Sequence, residues 1–173
     1  MLFTNVNYQE KDDQTISQQR GVKVIGLNYK LRALEERGES IKTSIVGAGQ
    51  MGRGMVSQMM LMKGLKPSVL VDINLENAIN AYKMAGLAED DFKVVKTLSQ
   101  ANEAMEQGKF VVTDDADIAS KANLVDCVID ATGVPEVGAK VAVDAITNKK
   151  HIVMLNVETD VVIGPMLKRL ADT

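Results

Sequence analysis

The strongest constraint in this sequence is an alternation. From Lys42 onward, short apolar runs rich in β-branched residues take turns with longer segments of helical character, and glycine or proline stands at many of the junctions. The runs "KTSIV", "PSVLVD", "KFVVTD", "LVDCVIDATG" and "HIVMLN" read as five strands. Between and after them, "MVSQMMLMK", "LENAINAYKMAG", "TLSQANEAMEQG", "ADIASKA", "PEVGAKVAVDAITNK" and "GPMLKRLAD" read as helices or helical turns. A strand that is apolar at successive positions has both faces buried, and strands alternating with helices bury them on each side of a parallel sheet. The fold class expected is therefore α/β, a doubly wound parallel sheet in three layers. An N-terminal helix precedes it, because "LNYKLRALEER" spaces Leu27, Leu31 and Leu34 helically and Gly38 follows as a stop.

A chain of 173 residues fits one domain with a full core. Residues 1–26 are polar and aperiodic and read as a flexible arm, and residues 27–173 as the domain. A net charge of −3 with no clustered cations argues against nucleic-acid binding, and the 3% aromatic content without tryptophan argues against stacking platforms for single strands. The single cysteine, Cys127, permits no internal disulfide, and no Cys/His cluster suggests a metal. The N-terminus lacks an apolar signal core, and no apolar stretch reaches the roughly 18 residues of a membrane span. The expectation is a soluble cytoplasmic protein. The methionines at 55, 59, 60 and 62 fall on one helix and read as adaptable core filling.

The segment Gly47-Ala48-Gly49-Gln50-Met51-Gly52 fits G-x-G-x-x-G directly after the first strand and at the start of a helix. In a dinucleotide site the first glycine permits the turn, the second lets backbone approach a pyrophosphate, and the third lets helix lie close on strand. The anion then faces the free N–H groups of a helix N-terminus, around Gln50 and Met51, so an acidic protein needs no lysine to hold it. The second strand ends in Asp72, twenty residues past Gly52, where a carboxylate can accept from ribose hydroxyls. That carboxylate repels a 2′-phosphate, and Ile73 to Glu76 offers no cation, so NAD is preferred to NADP.

Two further strand ends belong on the same edge. "ATG" closes the fourth strand and puts Thr132 and Gly133 beside the nicotinamide ribose, unless it is a plain strand-to-helix turn ahead of Pro135. "NVETD" follows the fifth strand and puts Asn156 and Glu158 where hydride chemistry takes place, unless it is a solvated loop. Cys127 reads as a packed thiol, His151 as exposed or capping, and Asp114, Asp115 and Asp117 as a turn or helix cap.

With "SIVGAGQMG", "VDI", "DATG" and "MLNVETD" in this order, followed by "VVIGPMLKRLAD", the chain from Leu27 to its end resembles the nucleotide-binding half of the homoserine dehydrogenase-like oxidoreductases. More narrowly it resembles the predicted homoserine dehydrogenases with a C-terminal SAF domain, a group related to 1-deoxy-xylulose-5-phosphate reductoisomerase-like enzymes. The resemblance implies a Rossmann-type domain that uses NAD or NADP to oxidise a hydroxyl or reduce a carbonyl of a small polar substrate. It also implies that the substrate domain is absent from this chain. In the family a lysine follows the asparagine, whereas this chain has Val157, so that catalytic cation does not carry over. Asn156 and Glu158 do match the reductoisomerase pattern. Two alternatives stay open: a reductoisomerase-like NADPH enzyme acting on a sugar phosphate, and a non-catalytic NAD-sensing domain. The Leu27–Arg37 helix offers a contact surface for a homo-oligomer.

Overall fold

The computed structural model describes residues 28–173. In chain order the elements are α1 (Asn28–Glu36), β1 (Ile41–Val46), α2 (Gln50–Leu61), β2 (Leu65–Val71), α3 (Leu75–Met84), a 3₁₀ turn (Glu89–Asp91), β3 (Phe92–Val94), α4 (Leu98–Glu106), β4 (Phe110–Thr113), α5 (Ala116–Lys121), β5 (Cys127–Asp130), α6 (Pro135–Thr147), β6 (His151–Met154) and α7 (Val157–Ala171). The six strands form one sheet in the order β3-β4-β2-β1-β5-β6, and every pairing is parallel. This is a Rossmann-type fold. β2 and β5 flank β1 on opposite sides, so the winding reverses there and a crevice opens at the carboxyl ends of β1 and β5.

Why the strands read as unbroken apolar runs is visible in the core. Successive side chains of a strand face opposite ways, and here both faces are covered. Ile45, Leu70, Val112 and Ile129 pack with Val56 and Met59 of α2 and Ala78, Ala81 and Tyr82 of α3. Their neighbours Val46, Val69, Val71, Val111 and Val128 pack with Ala101, Ala104, Ile118, Val141 and Ala145 of α4, α5 and α6. Each buried Val, Leu, Ile or Met among them contributes about 1.5–3 kcal/mol. Tyr82 is buried between Phe92 and Phe110, with ring centroids 5.9 and 5.4 Å away, and its hydroxyl donates to the Pro67 carbonyl at 2.7 Å. Of the four methionines expected in the core, Met59 is buried and Met55 and Met60 are partly so, while Met62 is exposed.

Four features differ from the sequence expectation or lie beyond it. β3 was not expected: its three residues pair Phe92 with Phe110 and extend the sheet from five strands to six at an edge. β2 begins at Leu65, ahead of Pro67, and the register slips by one residue between Thr43 and Ser44 of its partner. That bulge is the setting in which a strand tolerates proline. The last helix starts at Val157 and carries Pro165 inside it, although proline removes an i→i−4 bond and argues for a later start. The start is fixed instead by Asn156, whose side chain accepts from the Thr159 N–H at 3.2 Å. The polar arm at 1–26 and Leu27 lie outside the described residues.

The expected N-terminal helix is α1. It buries Leu31 and is tied to the turn before β2 by Glu35, which accepts from the Gly64 N–H at 2.8 Å and pairs with Lys63 at 3.0 Å. Among the described residues no helix is long and apolar enough to cross a membrane, and no three or more His, Cys, Asp or Glu residues are placed to share a metal ion.

Candidate functional site

The glycine turn sits at the head of the crevice. β1 ends at Val46, and Gly47 turns the chain with a φ of +101° while its N–H donates to the Val71 carbonyl at 2.7 Å. An L side chain is strained at that φ. It would also have no room, since a Cβ on Gly47 would lie 2.8 Å from the Ala131 oxygen on β5's extension. Gly52 is closed in another way: a Cβ there would lie 1.9 Å from the Gly47 oxygen, so α2 packs on the turn only because this position is bare. Gly49 is the reverse, with no atom within 4 Å of a Cβ. It is exposed and forms the N-cap of α2 without a side-chain hydrogen bond. The N–H groups of Gln50, Met51 and Gly52 at the first turn have no intrahelical partner. They have no other acceptor among the described residues. Backbone that is open on one side and pinned on the other is suited to receive an anion.

Asp72 reaches this turn from the end of β2. Its Oδ2 accepts from the Ala48 N–H at 2.7 Å, inside the glycine turn, and its Oδ1 accepts from the Asn74 N–H at 2.9 Å and from Asn77 Nδ2 at 3.3 Å. The carboxylate is half-buried and forms no ion pair among the described residues. Oδ2, with one bond accepted, keeps a lone pair for a hydroxyl, whereas both of Oδ1's are engaged. Beside it, Ile73 is 96% exposed, a large apolar side chain at the lip of the crevice. The sequence reading weighs Ile73 only as part of a segment that offers no cation, and its exposure is visible only in the fold.

On the other side of β1 the geometry is closed and polar. Thr132 donates its N–H and its hydroxyl to Asp130 Oδ1, at 3.0 and 2.8 Å. The same hydroxyl accepts from the Val134 N–H at 3.3 Å and from Asn156 Nδ2 at 3.3 Å. Asn156 Nδ2 also donates to the Val134 carbonyl at 3.1 Å, and Thr159 donates its hydroxyl to the Pro135 carbonyl at 3.1 Å. Asn156 is 1% exposed. Its amide is thus spent on joining the turn after β5 to the start of α7. Gly133 is exposed with a φ of +67°, and Glu158 is exposed in α7's first turn, where its charge suits the helix dipole.

The sheet therefore brings Gly47, Gly49, Gln50, Met51, Gly52, Asp72, Thr132, Gly133, Asn156 and Glu158 to one edge. Cys127 and His151 lie at the opposite one, at the amino ends of β5 and β6. Burial, with the Asp126 charge adding to it, pushes the Cys127 thiol up to about 11, which leaves it protonated at neutral pH. Asp114 pairs with Lys96, Asp115 caps α5 through the Asp117 N–H at 2.9 Å, and Asp117 pairs with Lys121 and Lys140. These pairings hold the Asp114 and Asp117 carboxyls below the usual carboxylate range. Their roles are those of a turn and a cap. Asp130 is the residue that the sequence reading missed, although a carboxylate within "CVIDATG" is conspicuous.

No family model and no curated protein matches the chain. Solved structures do. The homoserine dehydrogenase from Thiobacillus denitrificans is 16% identical, with a TM-score of 0.53 over 78% of this chain and 27% of that one. The scyllo-inositol dehydrogenase from Lactobacillus casei with bound NAD(H) and scyllo-inositol is 16% identical, with a TM-score of 0.53 over 78% and 34%. The myo-inositol dehydrogenase of the same organism, in complex with NAD(H) and myo-inositol, is 17% identical, with a TM-score of 0.50 over 66% and 28%. At these identities the likeness establishes the fold. The matched region spans about a third or less of each of those chains.

Proposed function

We propose that residues 27–173 are the cofactor-binding domain of an NAD(P)-dependent oxidoreductase of the homoserine dehydrogenase-like group. Such an enzyme transfers hydride to or from a small polar hydroxy or carbonyl substrate. The observation that supports the reading is the contact between Asp72 Oδ2 and the Ala48 N–H at 2.7 Å, which joins the carboxylate proposed for the ribose to the turn proposed for the pyrophosphate. The fold's likeness to dehydrogenases, two of which hold NAD(H), supports it.

In this reading the N–H groups of Gln50, Met51 and Gly52 hold the pyrophosphate, and Gly49 leaves room for its approach. Asp72 accepts from the adenosine ribose hydroxyls, and Ile73 covers the adenine face. The carboxylate disfavours a 2′-phosphate, so NAD is the preferred cofactor and NADP the second choice. Thr132 and Gly133 border the nicotinamide ribose. A bound nicotinamide supplies the hydride chemistry, while the protein supplies orientation and electrostatics. Asn156 sets the start of α7, and Glu158 is the exposed group there able to hold or move a proton at the substrate. Gripping substrate from the far side takes the second half of a cleft, which this proposal assigns to a separate domain.

Calorimetric titration of the chain with NADH and NADPH tests the reading. NADH is expected to bind at least about tenfold more tightly than NADPH, a difference of about 1.4 kcal/mol. Asp72→Ala is expected to remove that preference. Absence of binding by either nucleotide contradicts the assignment.

A further inference from the structure

Asp130, the last residue of β5, is a fully buried carboxylate, 0% exposed, and its two oxygens are treated unequally. Oδ1 accepts both bonds from Thr132, whereas Oδ2 is buried with no hydrogen-bond partner among the described residues. Oδ2 points at Gly138 of α6. A Cβ at that glycine would lie 2.3 Å from Oδ2, 2.7 Å from Asn156 Nδ2 and 2.7 Å from Thr159 Oγ1, so polar atoms from β5, the β6–α7 junction and α7 converge on one bare position. A buried carboxylate oxygen without a partner is unfavourable. The strand neighbours Val128 and Ile129 show what packing alone would select.

What Asp130 secures in return is the turn that follows it. The Thr132 hydroxyl donates to Asp130 and accepts from Val134 and Asn156, which uses all of its capacity. Ala131, between the two, donates its N–H to the Val46 carbonyl at 2.8 Å and lies against Gly47. Asp130 is thus the fixed point from which the turn after β5 is built. We propose that Asp130 is a positioning residue that holds the Thr132–Gly133 turn for the nicotinamide half of the cofactor, a role that rests on the nucleotide reading above. The adenosine half, held by the glycine turn and Asp72, does not depend on it.

The test compares two ligands on the same chain: NADH, and ADP, which lacks both the nicotinamide and its ribose. Asp130→Ala is expected to weaken NADH about tenfold or more and ADP less than about twofold. Asp130→Asn keeps the Oδ1 acceptor and is expected to restore NADH affinity to within about threefold of wild type. Thr132→Val, which removes the shared hydroxyl at constant volume, is expected to reproduce the split. It carries the test if circular dichroism shows Asp130→Ala unfolded. Equal losses for both ligands, no loss in either alanine or valine variant, or failure of the asparagine to restore binding overturns the role of Asp130. A wild-type chain that binds NADH no more tightly than ADP overturns it too. A wild type that binds neither ligand overturns the nucleotide reading itself.

Discussion

The two halves of the sheet's carboxyl edge solve different problems. On the β1–β2 side the backbone is laid open: Gly49 faces empty space, the first N–H groups of α2 lack protein acceptors, and one carboxylate leans in from the next strand. On the β5–β6 side the polar groups face one another, and Asp130, Thr132, Asn156 and Thr159 form a closed network around Gly138. Open backbone leaves donors free, whereas mutually engaged side chains hold a shape. One half therefore exposes backbone through absence of side chains, and the other fixes a turn through their mutual engagement.

The sharpest way to break this contrast is within the glycine turn. Gly52→Ala puts a Cβ 1.9 Å from the Gly47 oxygen and is expected to destabilise the fold by about 3 kcal/mol or more, read by urea denaturation. Gly49→Ala meets nothing within 4 Å. It is expected to leave stability within about 0.5 kcal/mol while weakening NADH about tenfold. Similar stability changes in the two variants would erase the distinction between pinned and open backbone.

On the closed side, Gly138→Ala drives a methyl into Asp130, Asn156 and Thr159 and is expected to lower stability by about 2–3 kcal/mol in the same assay. Asn156→Ala removes the α7 cap and both bonds to the turn after β5. A loss of about 1–2 kcal/mol is expected, with NADH weakened more than ADP. The smallest effect sharpens the comparison from outside both halves. Lys149 in the α6–β6 turn has a φ of +59°, and Lys149→Gly is expected to raise stability by about 0.5–1 kcal/mol without changing nucleotide affinity.

The same contrast explains what the sequence made legible. Glycines act through their own backbone, so Gly47, Gly49 and Gly52 carry their message in order and spacing, and Asp72 adds its message through distance along the chain. The alternation of apolar runs with helical segments likewise encodes a parallel sheet locally. β3 escaped notice because three residues with two exposed have no pattern to show. α7 was begun too late because Pro165 outweighed the Asn156 cap in a local reading. The burial of Asn156 was invisible for a related reason: its partners Thr132 and Val134 lie more than twenty residues away and meet it only in the fold.

The central claim is that backbone after β1 receives a pyrophosphate while Asp72 holds the adenosine ribose. The most direct measurement is an amide ¹H–¹⁵N chemical-shift titration of the chain with NADH. The account predicts the largest shifts at Gly47 to Gly52, Asp72, Ile73, Thr132 and Gly133, and none at Cys127 or His151 on the opposite edge. Shifts confined to that opposite edge, or a glycine turn that does not respond, would contradict it.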